Sequence, residues 1–167
     1  ADMMHAAGIN LDVIDIPEMA QRNLAALLPE DAKGVVLLSF TPGGGLITIS
    51  KQSDIYLSRS IDIGLDMLAS FQDSGEMFDR IALEVQRSLD YYDSHFRQSP
   101  INTLALAPMP HEVPGLVDHL GRGWPAAGQG DRRGRILRLH HDAAVAQQRG
   151  LRQGARDLQE DHGLRAA

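Results

Sequence analysis

Residues 35–64, VVLLSFTPGGGLITISKQSDIYLSRSIDIG, constrain the fold of this chain more than any other stretch. Residues 35–40 are an unbroken apolar run of strand length, the pattern of a strand covered on both faces. Residues 41–45, TPGGG, must turn: Pro42 cannot continue a ladder, and three glycines admit conformations closed to other residues. Residues 46–50 and 54–61 follow as strands, separated by the polar turn Lys51-Gln52-Ser53. Three strands joined by tight turns predict an antiparallel meander. The glycine turn has two readings. It is a plain hairpin turn, or it is a phosphate cradle in which the bare N–H groups of Gly43, Gly44 and Gly45 hold an anion.

The flanks say how the meander is covered. In residues 8–15, Ile9, Leu11 and Val13 alternate with polar neighbours, which predicts a half-buried strand. Pro17 suits a first helical position, and Met19, Ala20, Asn23, Leu24, Leu27 and Leu28 outline a helix face running to Pro29. Residues 30–34 read as a polar loop, 65–71 as a short helix and 72–75 as a turn. Phe78, Ile81, Val85, Leu89, Tyr92 and Phe96 then repeat at spacings of three and four. They form one helical stripe about 27 Å long, which reads as a core-packing face. Arg80 and Glu84 are spaced to pair on its surface, and Pro100 sets its limit. Residues 101–107 have the length and apolarity of a strand, broken by Pro108 and Pro110. Residues 114–120 close with a short helix that turns Leu116, Val117 and Leu120 inward. A meander extended by helix–strand crossovers predicts an α/β domain of the ribonuclease-H-like type.

Charge and composition remove several function classes. The net charge of −6 gives no footing for nucleic acid, and without cysteine there is neither disulfide nor thiolate chemistry. No apolar run reaches the roughly 20 residues of a membrane span, and no signal peptide is visible, so a cytoplasmic protein is expected. The average conceals two halves. Residues 1–120 hold 7 basic against 17 acidic side chains, whereas 121–167 hold 9 arginines, no lysine and 5 acids. The second segment also has 8 of the 16 glycines and only seven Val, Ile or Leu, with no clean strand pattern. The expected division is therefore 1–120 as the folded domain and 121–167 as an atypical Arg/Gly-rich tail. Two readings of the tail stand open: a disordered partner-binding arm with local helix over 142–158, or out-of-frame translation of a GC-rich gene.

The runs AAGINLDVIDIPEMAQRNLAALL, VVLLSFTPGGGLITIS and YLSRSIDIG, with LEVQRSLDYYDSHFRQSPINTLALAPMP, go further. Over residues 6–120 the chain resembles the second half of the sugar kinase, Hsp70 and actin superfamily. Within it, the chain is most similar to the PilM-type pilus assembly proteins, in the branch serving the mannose-sensitive haemagglutinin (MSHA) pilus. The resemblance implies one half of an actin-like ATPase fold. It also implies a cytoplasmic, non-catalytic scaffold that binds a membrane-anchored partner of the PilN or, by analogy, MshJ kind, with self-association through an exposed sheet edge.

The resemblance can be checked at particular residues. Nucleotide-binding relatives end the first meander strand with an acid that organises magnesium and its waters; Ser39, before Phe40 and Thr41, cannot supply that charge. The place of their adenosine-receiving glycine loop reads Ala107-Pro-Met-Pro110. ATP with magnesium is thus expected only if an upstream half restores the site, with Gly43–Gly45 as the surviving, degenerate phosphate loop. Other constellations are thin. His111 with Glu112, and His140 with His141, lack further metal ligands at useful spacing. Asp12, Asp15 and Glu18 suggest either a two-metal nuclease of ribonuclease-H type or acids at a helix start. Ser58, Arg59 and Ser60 have no neighbouring histidine in sequence to suggest a nucleophile.

Overall fold

The computed structural model describes residues 15–70, 74–124 and 134–139. The strand expected around Ile9, Leu11 and Val13 and the local helix over 142–158 lie outside them. Helix α1 (Pro17–Ala25) and a 3-10 turn (Pro29–Ala32) precede the meander β1 (Val35–Thr41), β2 (Gly44–Lys51) and β3 (Asp54–Ile61). Then come α2 (Leu65–Ser70), α3 (Ser74–Phe96), β4 (Thr103–Leu106), α4 (Leu116–Gly123) and β5 (Arg135–Arg138). The strands form one sheet in the order β3-β2-β1-β4-β5. The meander is antiparallel, while β4 lies parallel to β1 and β5 parallel to β4.

The central place of β1 explains its unbroken apolarity. Val36, Leu38 and Phe40 point into the larger core with Ile47, Ile49, Ile81, Val85 and Leu104. Val35 and Leu37 point the other way, onto Ala25, Leu24 and Leu28 of and beyond α1. The α3 stripe packs as the spacing predicts: Phe78, Ile81, Val85, Leu89 and Tyr92 are buried, with Phe96 packed at the end. Helix α3 stops before Pro100, at Arg97, whose φ of 47° ends the helix in the left-handed region. It also starts at Ser74, inside the stretch expected to be a turn.

Several expectations need correction. The buried residues of α1 are Gln21 and Ala25, whereas Met19 is 40% exposed and Ala20 and Asn23 face solvent. The inward face is thus rotated from the apolar one read in sequence, because a polar residue with partners on the sheet occupies its centre. Residues 30–34 are not a simple loop: Asp31 is buried and fixes the β2–β3 turn, its Oδ2 accepting from Ser53 N (2.9 Å) and its carbonyl from Gln52 N (3.0 Å). Arg80 does not pair with Glu84, which bridges Arg59 and Arg87 instead. The tail boundary also moves. Helix α4 runs through Gly123, Trp124 is buried, and β5 extends the sheet within the segment read as having no strand pattern.

Candidate functional site

The glycine turn is a tight hairpin closed by Pro42 and Gly43, with Thr41 opposite Gly44 and Phe40 opposite Gly45. Thr41 Oγ1 donates to the Gly44 carbonyl (3.0 Å), and Asp66 N, in α2, donates to the Pro42 carbonyl (3.1 Å). Gly64 lies against the turn so closely that a Cβ there would fall 2.2 Å from the Pro42 oxygen. A Cβ on Gly45 would fall 2.8 Å from Ile61 Cγ1. Two glycines of the loop therefore serve close packing or pairing: Gly45 lies under Ile61, and a Cβ on Gly44 would stand 3.1 Å from the Ile61 oxygen. Gly43 is different, since a Cβ there would meet nothing within 4 Å.

Ser39 lies two residues before the end of β1, opposite Leu46, and a buried amide holds it. Gln21 Nε2 donates to Ser39 Oγ and to the Leu46 carbonyl (3.2 Å), while Thr48 Oγ1 donates to Gln21 Oε1 (2.7 Å). Both ends of the Gln21 amide are thus satisfied within the protein, as a buried polar group requires. The result is a neutral knot pinning α1 to β1 and β2. Sequence reading missed Gln21. Its only signal was its four-residue spacing from Ala25, because its partners lie 18 and 27 positions away.

At the end of β4, Ala107 N donates to the Leu38 carbonyl (2.9 Å), keeping residue 107 in register with β1. Beyond it, Ala107, Pro108, Met109 and His111 line a cavity of about 150 Å³ beside Arg138. Glu112 pairs with Arg138 Nη1 at 2.7 Å. The fold therefore brings His111 and Glu112 to the carboxyl ends of two parallel strands, where open α/β sheets place ligands. Among the described residues no three His, Cys, Asp or Glu side chains are grouped to hold a metal ion. His140, His141 and Asp12 lie outside the described residues.

The remaining sequence candidates are placed elsewhere. Asp15 Oδ1 accepts from Ile16 N (2.9 Å), and Glu18 sits in the first turn of α1, where the helix dipole favours an acid. Arg59, between Ser58 and Ser60 on β3, reaches Glu84 Oε2 at 3.1 Å, and Arg87 reaches Oε1 at 2.6 Å. Burial alone would raise the Glu84 pKa, but the hydrogen bonds and charge of these two guanidinium groups outweigh it and hold the carboxyl below its ordinary range. No described helix is long and apolar enough to cross a membrane.

No protein-family model matches the chain, and no curated protein matches it. Among solved structures, it is similar to a chain of the PilM-PilN type IV pilus biogenesis complex, with a TM-score of 0.55 and 16% identity. That match covers 81% of this chain and 45% of the other, so this chain spans less than half of its neighbour. An exopolyphosphatase from Cytophaga hutchinsonii aligns at a TM-score of 0.36 and 16% identity, over 65% of this chain and 37% of its own. The Aquifex aeolicus Ppx/GppA phosphatase, in its type II variant, aligns at 0.38 and 18%, over 63% and 36%. Only the first is similar enough to bear on the fold. With the sheet order and the two parallel crossovers, it establishes that the described chain is one half of an actin-like ATPase fold.

Proposed function

We propose that the chain belongs to a non-catalytic scaffold of type IV pilus biogenesis that binds a membrane-anchored assembly partner. The observation that carries this reading is the likeness, over 81% of the chain, to a chain of the PilM-PilN complex. The residue patterns in 6–120 point to the same class. On the finer level we assign it to the MSHA system, as an MshI-like protein. Its partner would be PilN-like or MshJ-like, and it would work on the cytoplasmic side of the inner membrane through that partner. A homo-oligomer is compatible with this role.

The non-catalytic part of the proposal rests on Ser39. The hydroxyl there is neutral and engaged by Gln21, so it offers no charge to order magnesium. A second reading, a nucleotide-binding ATPase completed by an upstream half, has Gly43 and the cavity beyond β4 in its favour. The ribonuclease-H-like nuclease reading has no grouped carboxylates behind it among the described residues.

Calorimetric titration of magnesium–ATP, into this chain and into a longer form spanning the neighbour's full length, separates the first two. The scaffold reading expects no saturable heat in either, together with binding of the longer form to the cytoplasmic segment of the PilN-like partner. Magnesium-dependent ATP binding and turnover by the longer form would overturn the non-catalytic assignment. Failure to bind that segment would overturn the pilus assignment.

A further inference from the structure

Strand β3 ends the sheet, so its outer backbone groups have no partner strand among the described residues. A bulge at Tyr56, where the register shifts between Ile49 and Ser50, leaves residues 57–61 as the regular part of that edge. Beside it runs α3, and between the two lies a groove of about 370 Å³ whose walls include Ile61, Ile63, Arg80, Leu83 and Arg87. Leu83 is 49% exposed, and Tyr91, two turns further along α3, is 43% exposed. A large apolar side chain beside an open strand edge is a liability unless something covers it.

The charges say what would cover it. Arg59 and Arg87 share the single carboxylate of Glu84, and Arg80 Nη1 meets Met77 Sδ at 4.0 Å with no ion pair among the described residues. Arg80 and Arg87 line the groove with Asp62 and Glu84, and Arg59 reaches Glu84 from β3, so three guanidinium groups stand against two carboxylates on a chain whose net charge is −6. This is a local cationic lip with an apolar centre. On α3, Arg80, Leu83 and Arg87 are separated by about 4.5 and 6 Å of helix rise. Same-face residues of a strand lie about 6.6 Å apart.

We infer that the β3 edge and α3 form a docking groove for an extended acidic segment of a partner chain, added to the sheet as a further strand. Alternate residues of that segment would face α3 in the order acid, apolar, acid, meeting Arg80, Leu83 and Arg87. Its main chain would take the free edge of β3, the source of affinity in strand addition, while the alternate side chains give specificity. The inference deepens the scaffold reading and rests on it only for the partner's biological identity.

The test is fluorescence anisotropy with the whole chain and a labelled peptide, Thr-Asp-Thr-Leu-Thr-Asp, at low ionic strength. Saturable binding is expected, weakened about tenfold or more by Leu83→Asp, by Arg80→Glu and by Arg87→Glu, and largely kept by Arg87→Lys. All three positions changed line the groove, and a circular dichroism melt checks that each variant is folded. Two further peptides, N-methylated on alternate amides in the two possible phases, should differ sharply, because only one phase faces β3. Equal loss or equal retention by both would overturn strand addition. Equal affinity for a peptide with lysine in place of aspartate would overturn the charge assignment. Dimerisation of the chain alone that Leu83→Asp abolishes would make the occupant a second copy and overturn the partner proposal. Peptide binding without capture of the PilN-like segment would leave this groove standing and remove only the pilus identity.

Discussion

Single side chains carry most of what is unusual here. Tyr92 is fully buried between Tyr56 and Phe96, with ring centroids 5.4 and 5.6 Å away, and its Oη has no hydrogen-bond partner among the described residues. Burial, then the charges of Tyr56 and Asp93, push its pKa up to about 12. An unfolded tyrosine ionises near pH ~10, so between the two values the unfolded state releases a proton that the folded state keeps. Stability is therefore lost as pH rises through that window. Tyr92→Phe removes both the unsatisfied hydroxyl and the titration. It should change stability at pH 7 by no more than about 1 kcal/mol, in either direction, since no hydrogen bond is lost. It should also lessen the fall in stability above pH ~10, measured by urea unfolding at a series of pH values. A loss of more than ~2 kcal/mol at pH 7 would show that the hydroxyl has a partner after all. Tyr92 was legible as core from its place in the stripe. The silence of its hydroxyl was not, since that depends on which residues of β2 and β3 surround it.

At the scale of elements, legibility followed periodicity. The meander and α3 could be read because their apolar residues repeat at the periods of strand and helix, and each repeat is local in sequence. The inward face of α1 could not, because Gln21 is buried by bonds to Ser39 and Thr48 on strands that sequence spacing does not locate. The partner of Glu84 was missed for the same reason: Arg80 is four residues away in sequence, but Arg59 on β3 reaches it across the packed interface. That bridge ties α3 to the edge strand and makes it pH-sensitive. The folded pKa of Glu84 lies below its ordinary value of 4.5, so the carboxylate's contribution is present above that value and lost as pH falls through the lowered one. Asp93 works in the opposite sense, since burial and the neighbouring Asp90 raise it, but it is common to wild type and variant. Glu84→Gln should therefore be less stable than wild type at pH 7, with the gap closing as pH falls below 4.5, as thermal unfolding across the acid range will read. A gap constant with pH would mean that the two arginines contribute packing rather than charge.

For the whole molecule the question is where the domain stops. Composition placed the boundary at residue 120, because glycine and arginine without apolar alternation read as an arm. The fold places it later. Strand β5 pairs with β4 from Arg135 to Arg138; Ile136 packs on the larger core and Leu137 on the smaller, so the two faces of the sheet are covered through this strand. Four residues with arginine at both ends give almost no sequence signal, which is why the strand escaped notice. Trp124 joins the two sides of the connection: its Nε1 donates to the Asn102 carbonyl (3.1 Å), and Gly134 lies against its ring. A Cβ on Gly134 would fall 1.8 Å from the Trp124 ring, so any side chain there must displace the indole or the start of β5. Gly134→Ala is expected to lower stability by about 1–3 kcal/mol, the usual cost of overpacking, measured by urea unfolding. Gly121 supplies the contrast. It sits inside α4, where a Cβ would stand an ordinary 3.7 Å from Ile136, so Gly121→Ala should raise stability by about 0.5–1 kcal/mol. An idle arm predicts no change for Gly134→Ala, because a chain free of the sheet has room for a methyl group. Loss at Gly134 together with gain at Gly121 would establish that the domain extends through β5 and that α4 is fixed against it. No loss at Gly134 would return the boundary to the end of α4.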